Sequence, residues 1–165
     1  MIFQTPRLIV RQPDWADGDI FYILNSDPDV VRFIRPPRTR AEADEKLKER
    51  IEGNNAGGNG LGGWMVGGIA DGIIIGTLGL FLLPDSDEVN LGYSLLKPFW
   101  GLGYATEMAV AAINYGFQLL HLPRIVATAF PNNIGSQKIL AKCGFEYIGM
   151  IAEEGVELFK YELRP

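Results

Sequence analysis

Phe99-Trp100-Gly101-Leu102-Gly103-Tyr104-Ala105-Thr106-Glu107 decides the fold: two glycines, one residue apart, stand between a strand-like run ending at Leu96 and a helical pattern opening at Tyr104. The first N–H groups of a helix have no internal partner, and the helix dipole adds positive character at the same end. Gly101 and Gly103 allow a sharp turn and keep Cβ atoms away from whatever approaches those amides. The junction therefore predicts an anion site suited to phosphate, although a GxG also serves ordinary tight turns. Spacing excludes two phosphate loops. A P-loop needs Lys and then Ser or Thr after its second glycine, where Tyr104 and Ala105 stand; a dinucleotide fingerprint needs Gly or Ala where Thr106 stands, and belongs in the first βαβ unit.

Upstream of this junction, Val89 to Leu96 reads as a strand, with Gly92 marking a bulge or a close approach of backbone or ligand. Trp64 to Ala70 and Ile73 to Leu82 flank Asp71-Gly72, the signature of a hairpin with a type I′ turn. In Gly53 to Gly63 six of eleven residues are glycine, which predicts a loop without regular structure, either a plain surface loop or a lid over a cleft. Before it, Thr39 with Glu42 forms a capping box, and Ala43, Leu47 and Ile51 make a helical stripe whose charged neighbours read as a solvated face. Asp14 caps an earlier helix bearing Ile20, Phe21, Ile23 and Leu24, which stops at Asn25-Ser26-Asp27-Pro28, and Thr5 to Gln12 is the first strand.

Downstream, Met108, Ala109, Ala112, Ile113, Gly116 and Phe117 recur at helical spacing between Tyr104 and Leu120. Arg124 to Phe130 is strand-like, Asn133 to Lys142 is a helix that leaves through Gly144, and Phe145 to Ile151 and Val156 to Leu163 are the last strands. The order β-α-α-β-β-β-α-β-α-β-β describes one α/β domain over residues 1–165, with helices flanking a mixed central sheet.

Composition narrows the function. The 165 residues are 47% hydrophobic and carry a net charge of −5. A chain of that length buries roughly 70% of its unfolded surface without help from disulfides or metal. A pI near 4.9 argues against a general nucleic-acid binder but not against a cationic amine substrate. The longest apolar run, Ile73 to Leu83, is too short to span a bilayer and is broken by Gly76, Thr77 and Gly79. The start, Met1 to Arg7, has no basic segment leading into an apolar core, which predicts a cytoplasmic protein. His121 has no second ligand at metal spacing, Cys143 reads as core, and Trp15, Phe33 and Trp64 suit a core better than a cleft wall.

The segment around Gly101 resembles motif A of the GCN5-related N-acetyltransferases (GNAT). Thr5-Pro6-Arg7-Leu8, Ser26-Asp27-Pro28, Leu91-Gly92-Tyr93, Pro131-x-Asn133-x-x-Ser136 and Leu140-x-x-x-Gly144-Phe145 extend the likeness over about the whole chain, in the order of the ribosomal-protein (RimJ/RimL-like) branch. The resemblance implies a GNAT fold in which acetyl-CoA, the acetyl donor, enters a V between splayed parallel strands, here Val89–Leu96 and Arg124–Phe130. Its pyrophosphate would sit on the amides from Leu102 to Thr106 (Leu102, Gly103, Tyr104, Ala105 and Thr106), with Gly101 turning the chain beside the coenzyme, and its pantetheine arm would pair with the backbone at Leu95 and Leu96. Asn133 and Ser136 would contact the coenzyme, with Ser136 protonating the leaving thiolate and an N–H near Leu95 holding the oxyanion. Asn133 is equally a plain helix N-cap.

Two departures stand out. Leu102 replaces a lysine common in the branch, and Asn90 stands where a carboxylate usually precedes Gly-Tyr. Glu88, two residues earlier on the same strand face, is the nearest substitute base. The expected activity is direct acetyl transfer to a primary amine, on a protein N-terminus or a small molecule, by a monomer or homodimer that needs no metal. The acceptor cleft is expected between the Asp27–Arg40 segment, the glycine-rich loop and the turn before Val89. An acetyl-CoA-binding sensor without transferase activity is the first alternative, suggested by Asn90; a nucleotide-binding regulator using the same loop is the second.

Overall fold

The structure, a computed structural model, describes residues 1–153 and 155–165, with the side chains of residues 55–57 left aside. Its strands are β1 (Phe3–Gln4), β2 (Leu8–Arg11), β3 (Gly62–Gly68), β4 (Ile74–Leu82), β5 (Val89–Leu95), β6 (Ile125–Ala129), β7 (Glu146–Glu153) and β8 (Val156–Leu163). They form one sheet in the order β1-β2-β3-β4-β5-β6-β8-β7. Every neighbouring pair is antiparallel except β5 and β6. Those two are parallel and in register only at Asn90 and Val126, beyond which they diverge. The mixed α/β architecture is that expected from the order of elements, and the splayed pair is that implied by the family resemblance.

The helices are α1 (Gly18–Ser26), α2 (Pro28–Val31), α3 (Arg40–Gly57), α4 (Tyr104–Asn114) and α5 (Ile134–Lys142). Strand alternation sorts the core between the sheet's two faces. Met65 joins Phe21 and Leu24 of α1 and Ala43 and Leu47 of α3, whereas its neighbours Trp64 and Val66 join Met108, Ala109 and Ala112 of α4. Trp64 meets the rings of Phe3 and Tyr115 edge-on or nearly so.

Three local expectations need correction. The capping box of Thr39 and Glu42 opens α3 as read, but the helix continues through Gly53 to Gly57 and stops at Gly58, whose φ of 56° is the left-handed helix stop. Asn54 explains the extension: its Nδ2 donates to the Gly63 carbonyl (2.8 Å) and to Gln12 Oε1 (2.6 Å), and its Oδ1 accepts from Gly63 N–H. These tertiary bonds outweigh the low helix propensity of the glycines.

The β3–β4 connection is not a type I′ turn. Only Gly72 has positive φ there; Asp71 instead accepts from Ile73 N–H, and Gly68 N–H closes on the Ile73 carbonyl at 3.0 Å. Gly92, finally, makes no bulge, since the β4–β5 register is unbroken and the irregularity falls in β3 at Val66/Gly67. What approaches Gly92 is the Phe81 ring, which also overlies Gly79, where a Cβ would stand 2.3 Å from it.

Candidate active site

The divergence of β5 and β6 opens a cleft of about 1000 Å³. Leu96 N–H is engaged by the Ile75 carbonyl of the antiparallel neighbour at 2.9 Å, so strand alternation turns the N–H groups of Tyr93 and Leu95 away from β4 and into the V. The Leu95 carbonyl accepts from Trp100 Nε1 at 2.8 Å, which ties the glycine turn to the end of β5. Of the two backbone positions expected to pair with the pantetheine arm, Leu95 keeps a free amide; Leu96 does not and lies outside the cleft lining.

At the turn, Gly101 and Gly103 have φ of 73° and 81°, left-handed values that a side chain would strain. The first bond of α4 runs from Glu107 N–H to the Gly103 carbonyl. The N–H groups of Tyr104, Ala105 and Thr106 are thus without a partner among the described residues, and all three line the cleft with Gly101 and Gly103. Leu102 is 54% exposed and points elsewhere. Arg7 braces the turn from behind: Nε pairs with Glu107 at 2.6 Å, Nη1 donates to the Leu102 carbonyl at 3.0 Å, and the guanidinium lies 4.3 Å from the Tyr104 ring centre. Burial pushes the Glu107 carboxyl up, but hydrogen bonds from Thr5 and Arg7 more than offset it and hold it low.

On the facing wall, Tyr93 Oη and Ser136 Oγ are 3.1 Å apart. Burial, only partly offset by the Ser136 bond, pushes the Tyr93 phenol up to about 12, so it stays protonated. Asn133 Oδ1 accepts Ser136 N–H at 3.1 Å and so caps α5 while lining the cleft. Cys143 packs on the core, its thiol pushed up by burial. Phe33 lines the cleft, Trp64 is core, and Trp15 is 64% exposed.

Glu88 does not line the cleft. It precedes the first residue of β5, and its carboxylate is held by Lys160 Nζ at 2.6 Å and approached by Arg124 at 3.7 Å. Asn90, one alternation further along, does face the cleft, and its Oδ1 is buried with no hydrogen-bond partner among the described residues. The expected acceptor boundary shifts accordingly. Asp29 to Arg35 contribute to it, but the glycine-rich stretch and the turn before Val89 give way to Arg50 and Phe81. Tyr93 was legible only as part of a landmark, and Arg50 lay within charge that reads as a solvated face. Among the described residues no group of three His, Cys, Asp or Glu side chains converges on a metal position, and no helix is long and apolar enough to cross a membrane.

An open V with unpaired strand amides, facing a glycine-turned helix terminus, is the arrangement that the resemblance to the GNAT enzymes implies for binding an acyl-coenzyme A. The sequence matches the acetyltransferase (GNAT) domain over residues 7–146, and the chain belongs to that family. It is 28% identical over 151 residues to the uncharacterized N-acetyltransferase p20 of Bacillus licheniformis, covering 90% of this chain and 84% of that one. The fold is shared with the ribosomal-protein-S5-alanine acetyltransferase from Vibrio fischeri (TM-score 0.79, 20% identity, 98% and 95% of the two chains). It is shared equally with spermidine N-acetyltransferase from Vibrio cholerae, solved with CoA and spermine (TM-score 0.81, 18% identity, 97% and 96%). This chain is an N-acetyltransferase of the GNAT family, whose acetyl donor is acetyl-CoA. The free amides of α4 and β5 suit that donor's pyrophosphate and amide-bearing arm.

Proposed function

We propose that the chain transfers acetyl from acetyl-CoA directly to a primary amine in this cleft, in the manner of the ribosomal-protein (RimJ/RimL-like) branch. The observation that carries the reading is the Tyr93–Ser136 pair beside the free Leu95 N–H, opposite the amides of Tyr104 to Thr106. In the transfer, the amine nitrogen bonds to the thioester carbonyl carbon, the C–S bond breaks, and the nitrogen loses a proton. Leu95 N–H donates to the carbonyl oxygen as its charge develops. Ser136, hydrogen-bonded to a phenol that remains protonated, passes its hydroxyl proton to the departing sulfur as the C–S bond breaks and is reprotonated from water, which has taken up the proton the amine releases, so the hydroxyl is restored at the end of the transfer. Asn90 Oδ1 accepts from the incoming amine; having no basicity, it leaves the proton to water, so the acceptor reacts through its neutral fraction.

The ribosomal branch is supported by the motif order; a cytoplasmic site of action and a monomer or homodimer complete the reading. The test is thiol release from acetyl-CoA over an amine panel that includes peptides beginning with Ala, Ser or Met. Acetyl-CoA should also stabilise the protein by about 2.7 kcal/mol at a hundredfold excess over its Kd. Stabilisation without thiol release from any amine would favour the sensor alternative; stabilisation by ATP in place of acetyl-CoA would favour a nucleotide-binding regulator.

A further inference from the structure

The part of the cleft built by the segment between α2 and α3, by α3 and by the start of β5 is basic, with Arg32, Arg35 and Arg50 in its lining, although the chain carries −5 overall. Arg50 of α3 holds its guanidinium 5.1 Å from the centre of Phe21 and 5.6 Å from that of Phe81. The Phe81 ring, seated over Gly79 and Gly92, is its floor. Arg50 Nε and Nη1 and Arg35 Nε are buried and have no hydrogen-bond partner among the described residues. Burial pushes both guanidinium groups down to about 10, with the neighbouring arginines adding to the effect, yet both remain charged at neutral pH.

No carboxylate among the described residues pairs with Arg35, Arg38 or Arg50. The nearby acids are engaged elsewhere: Asp29 by Lys97 (2.7 Å), Glu42 by Thr39 N–H (2.7 Å) and Glu49 by Lys46 (2.6 Å). The partner that Arg35 and Arg38 do find is the neutral Asn25 carboxamide, whose Oδ1 accepts from both. Glu153, an exposed residue at the end of β7, is the other carboxylate in the lining.

Buried guanidinium groups in folded proteins are paired, because an unpaired charge in low dielectric is costly. Here Arg50 has no hydrogen-bond partner and Arg35 only a neutral one among the described residues, and both line the cleft with one orphaned acceptor, Asn90 Oδ1. The cations match a carboxylate, and the carboxamide oxygen matches an amine N–H. We infer that the acceptor carries a carboxylate beside its reacting amine, with Arg35 and Arg50 binding the carboxylate and Asn90 orienting the amine. This rests on the amine-acetylation reading above. The same chemistry is offered by a free amino acid, through its α-carboxylate, and by a peptide whose first residue is acidic.

Thiol release is compared within matched pairs at equal concentrations of neutral amine: L-alanine against L-alaninamide, and Asp-Ala-Ala amide against Asn-Ala-Ala amide, with spermidine as the polycation. In at least one pair the carboxylate member should have a kcat/KM about thirtyfold or more above its amide. That ratio should collapse in Arg50→Met and in Arg35→Gln. The first pair discriminating alone assigns a free amino acid; the second alone assigns a peptide. Parity within both pairs, a preference for spermidine, or ratios that survive both substitutions would overturn the inference. Binding is read separately by calorimetric titration of the CoA-loaded protein with each carboxylate member. If no amine releases thiol, amine acetylation has failed; carboxylate binding lost in Arg50→Met would still support the arginine site, and absence of binding to the wild type would overturn it.

Discussion

Ser136 Oγ and Tyr93 Oη, 3.1 Å apart, are the groups proposed to act where the sulfur leaves, so their substitutions should separate turnover from binding. Ser136→Ala removes an interaction that matures in the transition state, and steady-state kinetics should show kcat reduced by about 10²-fold with KM for acetyl-CoA little changed. A rise in KM alone would make Ser136 a binding residue. Tyr93 also carries a stability signature. Its folded pKa, about 12, lies above the unfolded value of about 10, so its contribution is complete below pH 10 and is lost as pH rises toward 12. Denaturant titrations across that window should give a fall of about 1.4 kcal/mol per pH unit from this group, absent in Tyr93→Phe.

Glu88 belongs to the same scale with the opposite outcome. Bound to Lys160 at 2.6 Å and outside the cleft, it should tolerate Glu88→Gln with turnover within about a factor of two, at a stability cost of about 1–2 kcal/mol for the bond to a charged partner. A turnover loss near 10²-fold that shrinks as pH approaches the amine's pKa would instead restore it as the base. The sequence offered the pairing of residue types on one strand face but not the competing cation, because Lys160 lies 72 residues away on β8.

At the scale of elements, the glycine turn was the most legible part of the chain, because its chemistry is local: two left-handed glycines and three unpartnered amides follow from nine consecutive residues. Its brace was legible only as the landmark Thr5-Pro6-Arg7-Leu8, whose purpose is the contact of Arg7 with Glu107 and the Leu102 carbonyl. The C-terminal half of α3 was illegible for a related reason. The bonds that hold it come from Gln12 and Gly63, so local glycine content misled. Gly103→Glu should therefore abolish the thermal shift given by acetyl-CoA, since the side chain brings a like charge against the pyrophosphate and strains a φ of 81°. The apo melting temperature should fall by only the few degrees that left-handed strain of about 1–2 kcal/mol produces, since no clash is added: the nearest atom to a Cβ there is Arg7 Nη2 at 3.5 Å. An unchanged shift would remove the turn from the coenzyme site.

Across the whole molecule, average charge and cleft charge have opposite signs. The −5 balance allowed a polycationic acceptor, yet Arg35 and Arg50 have no carboxylate partner among the described residues in the cleft proposed to admit the acceptor. Composition is blind to this, since it counts charges without saying which ones the fold isolates from their partners. The arrangement is expected to cost stability. Holding Arg50 at about 10 against an ordinary 12.5 corresponds to about 3 kcal/mol of unfavourable burial, which the two ring contacts offset in part. Arg50→Met keeps the apolar stem between Phe21 and Phe81 and removes the charge. Removing one member of a buried ion pair typically costs 3–5 kcal/mol, but here no carboxylate among the described residues is left behind. Chemical denaturation of Arg50→Met should give a stability equal to that of the wild type or about 1 kcal/mol above it, with the coenzyme-induced stabilisation intact because the glycine turn is untouched. A loss of 3 kcal/mol or more would show that Arg50 holds the fold together, and its unpaired atoms would then no longer point to a ligand.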